Sequence, residues 1–255
     1  MYAEERQQAM AELVARRGRV SVNDLAHEFA VTTETVRRDL SLLESRRLLR
    51  RVHGGALPID SFTVLEQLLS DRDAANTEEK RRIAVAAAAL LPDAEATLVI
   101  DAGSTTALLP EALPRDRALT VFTHSVPVAA RLAELPHVEL HLLPGRVRRN
   151  TQAAVGVETV QALSRIRADL AFVGTNGITL AHGLSTPDQT EAATKSAIVG
   201  CAQRVVVMAD SSKIGQERTI RFAALEDVDV LVTDDGLEPD RRTELESVGL
   251  EVVVA

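Results

Sequence analysis

The stretch Val31-Thr32-Thr33-Glu34-Thr35-Val36-Arg37-Arg38-Asp39-Leu40-Ser41 decides how the first sixty residues fold. Thr32 has the hydroxyl of an N-cap, with Val31 before it and Val36 four positions on, where an apolar pair staples a first turn. From Thr33 to about Ser45, Val36, Leu40 and Leu43 recur on one helical face and predict its buried side. Glu34, Thr35, Arg37, Arg38 and Ser41 fall on the opposite side. Two guanidinium forks among short hydroxyls can read guanine edges or clamp phosphates, and Thr32 and Thr33 at the helix start suit the same contacts. Asp39 lies at the edge of the buried face, placed to orient a neighbouring arginine rather than to touch nucleic acid.

Immediately upstream the same signature occurs in Val20-Ser21-Val22-Asn23-Asp24-Leu25. Ser21 is the N-cap, Asp24 stands at the capping-box position, and Val20 staples to Leu25. That short helix ends near Phe29. Little more than Ala30 separates it from the next, so the pair predicts a helix-turn-helix, although the turn lacks its usual glycine. An earlier helix over Ala3–Arg17, with the stripe Met10, Leu13 and Val14, is expected to stop at Gly18. Downstream, Arg50 and Arg51 lead through Val52 and His53 into Gly54-Gly55. This predicts a β-hairpin whose tip, with His53 and Gly54, approaches the DNA backbone as a wing.

The charge distribution agrees. The 255 residues carry a net charge of −8, but residues 1–58 hold ten arginines against eight acids, and Thr32–Pro58 holds six against three. A basic element on an acidic body is the pattern of a nucleic-acid binder. A single cysteine, Cys201, excludes an intrachain disulfide and reads as a buried small hydrophobe. The charged N-terminus lacks an apolar signal core. The uncharged Ala-rich run Ile83–Pro92 is too short to span a bilayer. A cytoplasmic protein with no membrane partner is expected, and no metal or cofactor motif is found.

Residues 59–76 read as a connector with a short helix near Val64–Leu69. A long Ala-rich helix to Leu91 follows, with Asn76 and Glu79 spaced as a capping box. Beyond it, seven apolar runs alternate with helical stretches: Thr97–Ile100, Leu119–Phe122, Val138–Leu143, Leu170–Val173, Val205–Met208, Val230–Val232 and Glu251–Val254. Alternation predicts an α/β domain over residues 77–255 with a largely parallel sheet covered on both faces. Ligands of such sheets bind beyond the carboxyl ends of the strands. There the chain places Asp101, Gly103, Ser104, Thr105 and Thr106; Thr123, His124 and Ser125; Gly145; Gly174, Asn176 and Gly177; and Asp210 and Lys213. These hydroxyls, acids, amides and glycines suit a polyol carrying a phosphate, with Gly103–Thr106 as the anion turn. Lys213, with Lys195 or Arg149, is expected to neutralise the phosphate, and Asp101 and Asn176 to hold hydroxyls.

Thr35-Val36-Arg37-Arg38-Asp39-Leu40 with His53-Gly54-Gly55-Ala56 resembles the DeoR family of bacterial regulators. Asp101-Ala102-Gly103-Ser104-Thr105-Thr106, Phe172–Gly177, Gly183-Leu184-Ser185-Thr186-Pro187 and Ala209–Lys213 with Arg221-Phe222-Ala223 resemble that family's sensor domain in order. One departure is Thr123-His124-Ser125, where Thr-Asn-Ser is usual. The resemblance implies a winged helix-turn-helix on an α/β sensor similar to the ribose-5-phosphate isomerase fold. It implies a repressor of a sugar operon, acting as a dimer or tetramer on double-stranded operator DNA and released by a phosphorylated sugar such as fructose 1-phosphate. An activator is the alternative. An isomerase-like enzyme is the lesser one, because Gly174-Thr175-Asn176-Gly177 lacks the carboxylate that aldose–ketose isomerisation needs.

Overall fold

The computed structural model describes residues 3–17, 20–46, 48–52, 54–58 and 75–255. The chain falls into two compact units, Met1–Leu65 and Glu66–Ala255.

The first unit contains α1 (Ala3–Arg17), β1 (Val20–Ser21), α2 (Val22–Glu28), α3 (Thr33–Ser45), β2 (Leu49–Val52) and β3 (Gly55–Pro58). Met10, Leu13, Val14, Leu25, Val36, Leu40 and Leu43 form one buried cluster, as their helical spacing predicts. The turn between α2 and α3 places Ala30 at φ 51°, in the left-handed region where glycine is usual. β2 and β3 form the expected hairpin, and β1 pairs with β3 as a third strand. An N-cap residue is extended, so Ser21 (φ −80°, ψ 156°) both caps α2 and pairs with Gly55. A Cβ on Gly55 would lie 2.3 Å from the Val20 carbonyl oxygen, so this glycine is required by close approach and already lies in the strand. Gly54, at φ 82°, makes the turn. His53, the Gly18 stop and the helix expected near Val64–Leu69 lie outside the described residues.

The second unit opens with α4 (Thr77–Ala88) and continues through β4 (Ala96–Ile100), a 3₁₀ turn at Thr106–Leu108, α5 (Leu109–Ala112), β5 (Leu119–Thr123), α6 (Val126–Leu132), β6 (Val138–Leu142), β7 (Arg146–Val147) and β8 (Ala154–Val155). Next come α7 (Val157–Leu163), β9 (Ala168–Val173), β10 (Gly177–Thr179), β11 (Gly183–Thr186), α8 (Gln189–Cys201), β12 (Ala202–Met208), β13 (Ile220–Ala223), β14 (Val230–Thr233), α9 (Pro239–Glu246) and β15 (Glu251–Val254). The seven apolar runs form one parallel sheet in the order β15-β14-β12-β9-β4-β5-β6. Alternate residues enter two cores. Val99, Ala171, Val173, Val205, Val207 and Leu231 face one, and Leu98, Ile100, Leu170, Phe172, Val206 and Val232 face the other with Ile83 and Ala87 of α4. Burial of both faces is why these strands read as unbroken apolar runs.

Two small antiparallel sheets, β10-β11-β13 and β7-β8, were not expected from the sequence. Their two- to four-residue strands are too short to show a period. Two helix assignments are corrected. α4 ends at Ala88 rather than Leu91, and Asn76 (φ 53°, ψ 43°) makes no side-chain cap; its amide is used elsewhere. No helix of the described residues is long and apolar enough to cross a membrane. Cys201 is buried, and burial pushes its thiol up to about 11, so it is unreactive.

Candidate functional site

In the first unit, the two caps aim α3. Thr32 Oγ1 accepts from the Thr35 N–H at 3.2 Å, and Ser21 Oγ accepts from the Asp24 N–H at 3.1 Å while donating to the Asp24 carboxylate at 2.7 Å. The hydroxyls of Thr32 and Thr35 also contact each other at 2.9 Å. Asp39 is buried and accepts from Arg6 Nε and Gln7 Nε2, both at 2.8 Å. The arginine that Asp39 orients is thus in α1, and the tie locks α1 across α3. Glu34, Arg37, Arg38 and Ser41 are exposed, and Thr33 and Thr35 half-buried. Arg37 faces Glu34 at 3.5 Å, an exposed pair that holds the guanidinium only weakly. Ser41 Oγ donates to the Arg37 carbonyl at 2.8 Å. Arg50 and Arg51 belong to β2, the strand leading to the wing turn.

In the second unit, the ends of β4, β9 and β12 converge on a crevice lined by Gly103, Ser104, Thr105, Gly174, Thr175, Met208, Ala209, Asp210 and Lys213. Its volume is about 10 Å³, room for a single water. The N–H groups and hydroxyls of Ser104 and Thr105, and the N–H of Gly103, have no hydrogen-bond partner among the described residues. Lys213 Nζ lies 3.9 Å from the Asp210 carboxylate. Burial opposes ionisation of Asp210, but the Ser212 hydroxyl, Lys213 and Asn76 hold its carboxyl below the usual range. Thr175, Met208 and Ala209 join this lining without having stood out in the sequence; they carry no charge and sit at or just beyond the ends of β9 and β12.

Behind the crevice lies a buried ionic cluster. Asp101 is wholly inaccessible, so it does not face the crevice as a partner for hydroxyls. One carboxylate oxygen lies 2.9 Å from His124 Nε2, and the other accepts from the Gly174 N–H at 2.8 Å and from Lys195 Nζ. Lys195 also donates to the Gly174 carbonyl at 2.8 Å. Both polar groups of Gly174 are therefore clamped, one by each charge. Burial alone would raise the Asp101 pKa; the Lys195 ammonium and then the His124 bond outweigh it and hold it at about 2. His124 is buried, not a surface turn residue. Its Nδ1 donates to the Ala154 carbonyl at 2.8 Å, tying the end of β5 to β8.

The remaining expected residues serve the frame. Thr106 Oγ1 donates to the Gly103 carbonyl at 3.1 Å, Thr123 Oγ1 to the Ile100 carbonyl at 2.7 Å, and Ser125 caps α6. A Cβ on Gly145 or Gly177 would overlap Thr159 or the Gln216 carbonyl. Arg149 is exposed between β7 and β8, and Asn176 is half-buried; neither lines the crevice. The adjacent Arg148 pairs instead with Glu191 and Asp188.

A helix-turn-helix with an arginine-bearing outer face, and a parallel-sheet unit with a polar crevice at its strand ends, define a DNA-binding regulator with a separate sensor. Residues 6–62 match the DeoR-like helix-turn-helix domain, and residues 75–235 match the DeoR C-terminal sensor domain. The chain belongs to the DeoR family of transcriptional regulators and is not an enzyme. It is 38% identical over 253 residues to the HTH-type transcriptional regulator GlpR of Haloferax volcanii, covering 99% of this chain and 98% of that one. It is 33% identical to the glycerol-3-phosphate regulon repressor of Escherichia coli K12, over 90% of each chain. Among solved structures, the chain is similar to ribose 5-phosphate isomerase A from Methanocaldococcus jannaschii, with TM-score 0.40 and 18% identity over 55% of each chain.

Proposed function

We propose that this regulator represses a sugar or polyol operon and leaves its operator when a small phosphorylated polyol binds the crevice. The DNA head comprises residues 1–58, the connector 59–76 and the sensor 77–255, and two or more copies act together on repeated half-sites. The observation that carries the effector reading is the turn Gly103-Ser104-Thr105. It presents three N–H groups and two hydroxyls with no partner among the described residues, in the same crevice as Lys213. A nest of backbone N–H groups beside an ammonium is complementary to a phosphate dianion.

The crevice is far smaller than the roughly 300 Å³ that a small ligand occupies. Entry of a phosphate must therefore part the strand-end loops. Such a ligand prefers an opened sensor, and a preference for one state of about 1–3 kcal/mol is enough to change DNA affinity 5- to 150-fold. A relative named as a glycerol-3-phosphate regulon repressor makes that phosphate one of the first compounds to try.

A thermal-shift panel of fructose 1-phosphate, glycerol 3-phosphate and other phosphorylated polyols, followed by gel shifts on the chain's own promoter, tests the reading. A compound that raises the melting temperature and releases the DNA is expected, and Lys213→Ala should abolish the response while leaving DNA binding intact. No response to any phosphorylated polyol would refute it.

A further inference from the structure

β6 is the outer strand of the seven-stranded sheet. Its odd-numbered residues turn their backbone groups toward β5: the Leu119 N–H donates to the His137 carbonyl at 3.1 Å, and the Leu143 N–H to the Thr123 carbonyl at 2.8 Å. Strand alternation sends the N–H and C=O groups of Leu140 and Leu142 the other way, where they have no partner among the described residues. Side chains alternate as well. Val138, Leu140 and Leu142 share one face, Glu139 and His141 the other. Leu142 is 56% exposed. His141 is stacked on Phe122 with ring centroids 4.5 Å apart, and its Nε2 lies 3.1 Å from the Glu139 carboxylate.

The geometry points to a second copy of this chain as the occupant of that edge, with β6 pairing antiparallel to β6 about a twofold axis at Leu140. This surface rests on the reading that copies of the chain act together on DNA. Three in-phase antiparallel registers bring the outward groups of both strands together near the strand centre. Centring on Glu139 sets two carboxylates face to face, and centring on His141 sets two imidazoles face to face. Centring on Leu140 places Glu139 opposite His141 of the second copy at both ends, and Leu142 opposite Val138 on the apolar face. In this register each imidazole N–H can donate to the facing carboxylate, whereas two facing carboxylates repel in the first. A twofold pairing also closes the edge, whereas parallel addition would leave another edge open and continue into a filament.

The register specifies its test. Leu140→Pro deletes an outward N–H and no bond to β5, so an edge strand tolerates it. Sedimentation of the full chain at tens of micromolar should show a dimer or a larger even-numbered assembly. Leu140→Pro should halve the mass with an unchanged circular dichroism spectrum. In the double variant Glu139→Cys with His141→Cys, the facing positions form a non-hydrogen-bonded pair with Cα atoms about 4.5 Å apart, within disulfide reach. It should run as a covalent dimer on a non-reducing gel, a readout that survives should the proline variant misfold. Cys201 is buried and should not contribute. A monomeric parent chain, or an assembled double-cysteine variant that does not cross-link on oxidation, overturns the proposal. The sugar-phosphate thermal shift of the parent fails or succeeds independently, because it reads the crevice and not the edge.

Discussion

The Asn76 side-chain amide donates to the Asp210 carboxylate at 3.1 Å, joining residues 134 apart in sequence. Asp210 lines the crevice, and Asn76 begins the helix that follows the connector from the DNA head. Lys80, also buried, reinforces the joint by donating to the Ala75 carbonyl at 2.6 Å. The crevice carboxylate is thus bonded directly to the start of α4.

Asn76 occupies the left-handed region, so two substitutions separate its two roles. Asn76→Gly keeps the backbone and loses only the bond, a cost of about 1 kcal/mol. Asn76→Ala adds roughly 1 kcal/mol or more for an unfavourable φ. Calorimetric melting of the two variants should rank them in that order. In both, the phosphate concentration needed to release DNA should change while the chain still binds the operator; an unchanged release curve would mean that the joint transmits nothing.

Arg37 and Arg38 project from the outer face of α3. Each alanine variant should weaken operator binding, by about 1–3 kcal/mol and with relaxed sequence preference for a base-reading arginine. The other outcome, a uniform loss with a shallower salt dependence, identifies a phosphate contact. Titrations at several salt concentrations distinguish them. Full affinity in both variants would show that α3 is not the reading helix.

Asp101 contributes pH-dependent stability. Its folded pKa of about 2 lies below the ordinary 3.8, so its contribution is complete above pH 4 and is lost as pH falls toward 2. The size is about 2 kcal/mol. Acid unfolding followed by circular dichroism should therefore be less steep in this range for Asp101→Asn. At neutral pH the same variant should lose about 3–5 kcal/mol, because Lys195 is left buried without its counter-charge. Equal stability of variant and parent at pH 7 would contradict the cluster's role.

Gly55→Ala brings a methyl group against the Val20 carbonyl, where no flexible side chain can yield. β1 must then part from β3, and the wing should lose its register with the N-cap of α2. The expected result is a lower melting temperature for the DNA head and weaker operator binding, with sugar-phosphate binding unchanged. Gly54→Ala, at an open turn with φ 82°, should pay only the backbone strain and be milder.

The sequence by itself determined the elements whose signals are local. N-cap chemistry at Ser21 and Thr32 and the spacing of Val36, Leu40 and Leu43 define the helix-turn-helix, because caps and helical faces are set within a few residues. The seven core strands were legible as apolar runs, since burial on both faces removes polar alternation. Only the tertiary structure decided what distant groups do to one another. Asp101 and His124 read from sequence as ligand contacts at strand ends. The fold turns them inward, where Lys195 from α8 and the Gly174 peptide from the end of β9 claim the carboxylate. The spatial order of the strands, the small sheet that brings Gly177 against Gln216, and the Asn76–Asp210 joint were likewise invisible. Pairings across tens of residues depend on which surfaces the whole chain buries together, and no local pattern records that choice.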